Sequence, residues 1–103
     1  MSKRLAFLEK LVADGKADSF ARYALALEYK GLGRTADARA AFDALREADP
    51  KYVPMYLMCG TMLRDAGDAA EARAWIESGL AMATSVGNSH ALGELRDALA
   101  SLG

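Results

Sequence analysis

The fold class predicted by this sequence is all-α: one helix-turn-helix unit repeated about twice, with one further helix at each end. Three observations predict it. Sliding the chain against itself by 34 residues superposes Gly33 on Gly67, Ala36 on Ala70, and Ala38-Arg39-Ala40 on Ala72-Arg73-Ala74. Apolar residues recur at helical spacing and are interrupted by short glycine-containing breaks, Gly-Leu-Gly-Arg in the first copy and Ala-Gly-Asp in the second. The composition agrees: 103 residues, 52% hydrophobic and 26% charged, with only two prolines. That length suits a single domain with a buried apolar core.

The first segment, Ser2 to Asp14, reads as an amphipathic helix with Leu5, Leu8, Leu11 and Val12 on one side. An offset of 34 places Phe42 over Leu8 and Leu45 over Leu11, so this helix resembles the second half of a missing unit. Gly15 is its expected stop, and Asp18 or Ser19 is the expected cap of the next helix. That second helix, about Ser19 to Leu32, has two apolar faces: Leu25, Tyr29 and Leu32 on one, Phe20, Tyr23 and Leu27 on the other.

Gly33 ends the second helix, and Thr35 is expected to cap the third, which runs to Ala48 and stops before Pro50. In the second copy, Met55, Met58 and Met62 form a stripe at i, i+3 and i+7, read as adaptable packing, with a soft binding surface as the functional alternative. Gly67 breaks that helix, and Asp68 caps a fifth helix from about Ala69 to Ala83. Small residues mark where helices approach closely, so Ala26 against Ala38 and Gly60 against Ala72 are the expected crossing points. Mid-helix Gly79 costs about 1 kcal/mol of propensity, which close approach of the last helix is expected to offset. That last helix, about Asn88 to Leu102, matches the second copy at an offset of 36, implying a longer connector. Asn88 is its expected N-cap, and Arg96 stands in the small-residue place.

With Leu25, Ala26, Tyr29, Ala38, Phe42 and Pro50 in the first copy, and Tyr56, Cys59, Gly60, Leu63, Ala72 and Ile76 in the second, the pattern resembles the tetratricopeptide repeat (TPR). Departures are Arg22 at the usual large first residue, Leu45 at a small place and Thr84 in place of the closing proline. The resemblance implies a right-handed solenoid divided as a capping helix over 1–16, repeats over 17–50 and 51–84, and a second capping helix over 85–103, closed at both ends.

The resemblance also implies a non-catalytic adaptor that binds a protein or peptide in a concave groove. The residues expected to line it are Phe20, Tyr23, Leu27, Lys30, Leu57, Thr61 and Arg64. Aromatic and aliphatic side chains suit an apolar peptide or helix, and the two cations suit an acidic group. Family members that clamp acidic chaperone tails use Lys and Asn at groove places where this chain has Tyr23, Leu27 and Met58, so that activity is not expected. The alternative is self-assembly, with the same apolar surface forming a homodimer interface.

Other chemistry finds little support. Cys59 and His90 are the one thiol–imidazole combination, but they fall on different helices with no glycine-rich elbow. Cys59 reads as a core thiol and His90 as a surface or cap-region side chain. One Cys and one His do not supply a metal cluster, so no metal or cofactor is expected. Thirteen Lys and Arg against fourteen Asp and Glu, scattered along the chain, leave no basic stripe for nucleic acid and no polybasic segment for a membrane. No apolar run approaches a signal core or a membrane span, and a single cysteine makes no demand on an oxidising compartment; a cytoplasmic location fits.

Overall fold

A computed structural model describes residues 3–103 as six helices: α1 (Lys3–Ala13), α2 (Ser19–Gly31), α3 (Thr35–Ala48), α4 (Pro54–Asp65), α5 (Ala69–Val86) and α6 (Ser89–Ala100). Ser2, expected to begin the first helix, lies outside the described residues. There is no strand among the described residues. The chain forms two compact units, Met1–Asp49 with α1 to α3 and Pro50–Gly103 with α4 to α6.

In the first unit, α2 and α3 pair as a hairpin in which Ala26, Ala38, Phe42 and Leu45 are fully buried. Ala26 and Ala38, the predicted crossing pair, add no bulk beyond Cβ, which lets helix backbones approach. Helix α1 packs on α2 through Leu5 and Leu8, with Leu11 and Val12 at the margin, against Ala21, Ala24, Leu25 and Tyr29. Two polar ties reinforce that contact: Arg4 Nε lies 3.1 Å from Glu28 Oε1, and the Tyr29 hydroxyl donates to Glu9 at 2.5 Å.

In the second unit, α4, α5 and α6 surround Met55, Tyr56, Cys59, Trp75, Ile76 and Leu95. A Cβ at Gly60 would stand 2.6 Å from Ile76 Cγ1 and 3.5 Å from the Ala72 carbonyl oxygen. At Gly79 a Cβ would stand 2.6 Å from Tyr56 Cβ and 2.9 Å from Leu95 Cδ2. The glycine therefore admits both α4 and α6, which explains a residue that is poor for helix propensity in mid-helix.

Helix ends follow local chemistry. Asp18, Asp68 and Asn88 each accept a hydrogen bond from the backbone N–H three residues on. Thr35 does not cap: it is the first helical residue, and the cap position belongs to Arg34, whose side chain makes no cap bond. Gly33 and Gly67 take positive φ after α2 and α4, where a side chain would be strained. Helix α5 runs beyond the expected Ala83 to Val86 and stops at Gly87, whose φ is 74°. The extra residues in the 36-residue offset thus lengthen a helix, because Thr84, Ser85 and Val86 contain no breaker.

Candidate functional site

The seven residues singled out by sequence fall on two helices, one in each unit. On α2, Phe20 is 67% exposed, while Tyr23, Leu27 and Lys30 are half-buried. Position in the helix explains the difference. Phe20 stands in the first turn, and Ala24 and Leu27 follow it on one side at about i+4 and i+7. Tyr23 is turned toward the hairpin: its ring meets that of Phe42 edge-on, with centroids 6.5 Å apart.

On α4, Leu57, Thr61 and Arg64 are also half-buried. The Thr61 hydroxyl turns back on its own helix, donating to the Leu57 carbonyl at 2.9 Å, with the Met58 carbonyl at 3.3 Å. Arg64 is engaged within its unit, Nε with Asp65 at 3.1 Å and a terminal nitrogen with the Ser101 hydroxyl at 2.9 Å. Ser101, just past α6, in turn donates to the Ala98 carbonyl at 2.6 Å. The α6 end of this unit thus holds a cation that sequence reading assigned to a ligand, a tie between residues 37 positions apart that no local pattern announces.

The remaining candidates separate by burial. Cys59 is fully buried, as are Met55 and nearly all of Met62, whereas Met58 is half-exposed. The methionine stripe is thus mainly packing, with one member left at the surface. His90 is exposed at the start of α6 and lies 3.3 Å from Glu94 one turn on. No group of three metal-ligating side chains occurs among the described residues, and no helix is long and apolar enough to cross a membrane.

Sequence reading missed two features. Phe7 on α1 is 63% exposed, although it sits beside the Leu5–Leu8 face that packs on α2. Tyr29 is the centre of a polar set: its hydroxyl reaches Glu9, and the Arg34 guanidinium lies 4.7 Å from its ring centroid. Hydrogen bonding to Glu9, then burial and the Glu9 charge, push its pKa up to about 12, against the opposing charge of Arg34.

No family model matches the chain. A TPR repeat-containing protein of Pseudomonas aeruginosa is 34% identical over 88 residues, spanning 85% of this chain and 84% of that protein. The solution structure of a protein from Bordetella parapertussis is similar at a TM-score of 0.84 and 31% identity, covering 99% of this chain and 89% of that one. A tetratricopeptide repeat domain protein of Salinibacter ruber, known from a crystal structure, gives 0.76 and 32%, covering 84% and 96%. None of these relatives indicates an enzymatic family. The repeat spacing, the close-packed glycines and alanines of the hairpins and this identity along most of its length agree: the chain belongs to the tetratricopeptide repeat family, whose members are generally protein-interaction modules.

Proposed function

We propose that the chain is a non-catalytic adaptor of the cytoplasm, built as repeats over 17–50 and 51–84 with capping helices over 1–16 and 85–103. It docks a peptide or partner segment through Phe20, Tyr23, Leu27 and Lys30 on α2 of the first unit and through Leu57, Thr61 and Arg64 on α4 of the second, each set taken by itself. The observation that carries this reading is Phe20, a large aromatic left 67% exposed on a well-formed helix. Aromatic residues, phenylalanine among them, are enriched at the cores of protein interfaces relative to the rest of the surface. Tyr23 and Arg64 have a share in the fold as well, so Phe20, Leu27 and Lys30 are the groups most free to meet a partner.

The test begins with molar mass by light scattering across a dilution series, followed by capture of partners on immobilised wild-type and Phe20→Glu chains. The expected result is a monomer at all concentrations and a captured protein, confirmed by titration, that Phe20→Glu loses while its helical signal is unchanged. A stable dimer that Phe20→Glu dissociates would assign the face to self-assembly instead. Equal capture by both chains would remove Phe20 from the site.

A further inference from the structure

The first and last helices commit similar side chains to packing, Leu5 and Leu8 in α1 and Leu95 and Ala98 in α6. Their seats differ. Helix α6 lies against both α4 and α5, and the Arg64 guanidinium bonds Ser101 just past its end. Helix α1 lies chiefly against α2, with Ala41 of α3 at the margin of the contact. Phe7, the one aromatic side chain of α1, is exposed and adds little to that contact.

The hairpin beneath α1 is closed by its own contacts. Asp18, in the connector, caps α2 through the Ala21 N–H, and Ser19 Oγ donates to Asp49 Oδ2 at 2.7 Å, tying the start of α2 to the end of α3. Ala26 and Ala38 are fully buried and Tyr23 meets Phe42 edge-on, all apart from the cluster that α1 joins. What α1 adds is Leu5 and Leu8 against Ala24 and Leu25, with two polar ties at the rim, Arg4 to Glu28 and the Tyr29 hydroxyl to Glu9. The Arg4 pair is largely in water and screened by salt, so the hydroxyl bond to a charged carboxylate is the stronger tie.

We propose that α1 is a detachable cover: it undocks from α2 as a unit while the α2–α3 hairpin stays folded, and the Tyr29–Glu9 bond sets how often it does so. Regions held by few buried contacts open ahead of the rest of a fold. The 11 residues of α1 are too few for a stable helix in water, so α1 melts as it leaves and its amides open together. Opening puts Leu25 in water, flanked one turn away by Ala21 and Tyr29, on the side of α2 opposite Leu27. Helix α2 thereby gains a second apolar face that exists only in the open state.

Native-state hydrogen exchange on the full chain, read at single amides by NMR, tests this. In the wild type the hydrogen-bonded amides of α1 are expected to share one opening constant, at least about a hundredfold larger than that of α3 and about tenfold larger than that of α6. Tyr29→Phe keeps the ring in its packing and beside Arg34 and removes only the hydroxyl. It is expected to raise the α1 opening constant about fivefold and to leave α3 and α6 unchanged. Arg4→Gln is expected to raise it about twofold or less, as for an exposed ion pair. Exchange of α1 at the same constant as α3, values that grade smoothly from residue to residue along α1, or an α6 that opens as often as α1 would overturn the proposal. So would a Tyr29→Phe chain in which α1 is unchanged or in which α1 and α3 shift alike.

Discussion

A methyl group added at Gly79 would sit 2.6 Å from Tyr56 Cβ and 2.9 Å from Leu95 Cδ2. Overpacking of this kind costs about 1–3 kcal/mol, against roughly 1 kcal/mol gained in helix propensity. The Tyr56 contact involves a Cβ fixed to the backbone, so the clash wins. Gly79→Ala is expected to lower stability in urea denaturation by about 1 kcal/mol or more. Gly93 is also helical but has nothing within 4 Å of an added Cβ. Gly93→Ala is expected to raise stability by about 0.5–1 kcal/mol, and shifts of the same sign at both sites would refute the packing account. At Tyr29, the raised pKa has a definite sign. Neutral Tyr29 donates to Glu9, so its stabilising contribution is complete below the ordinary tyrosine value of 10.0 and is lost as pH rises toward about 12. Comparison of the alkaline tyrosinate absorbance of wild type and Glu9→Ala tests this: the late-ionising group should move down toward 10.0 in the variant. An unchanged titration curve would show that Glu9 does not hold the hydroxyl.

Helix ends show how local rules and packing divide the work. Asp68 accepts from the Glu71 N–H at 3.2 Å, whereas Thr35 lies inside its helix. Asp68→Ala should cost about 1 kcal/mol and Thr35→Ala close to nothing, since only the former removes a cap. Equal losses in chemical denaturation would contradict that assignment. Glycine punctuation makes the turns legible in the chain itself, because positive φ at Gly33 and Gly67 excludes most other residues at little cost to glycine. The end of α5 is less legible: a 36-residue offset by itself fits a longer loop as well as a longer helix, and α5 runs on to Val86 before Gly87 closes it, with the Asn88 N–H bonded to the Ala83 carbonyl at 2.9 Å. Arg34 illustrates the same limit. Its sequence position suggests a loop cation, yet it closes on the Tyr29 ring and bonds Asp37 at 2.8 Å.

For the whole molecule, the proposed adaptor depends on side chains that can be altered without harming either unit. Phe20→Glu should leave the thermal midpoint within a degree or two, because the ring is largely in water. Tyr23→Glu should lower it by about 4–8 °C for each kcal/mol lost, because the ring it removes packs edge-on against buried Phe42. Similar midpoints for the two would mean that Tyr23 belongs to the surface alone. The sequence by itself determined the family, the six helices, the glycine turns and the hairpin cores, because these rest on periodicity and backbone rules that act within a few residues. Only the tertiary structure decided which face residues remain free. It turned Tyr23 toward Phe42, tied Arg64 to Ser101 and left Phe20 and Phe7 open. Exposure and pairing depend on neighbours distant in the chain, and a helical pattern specifies a face without specifying what comes to lie against it.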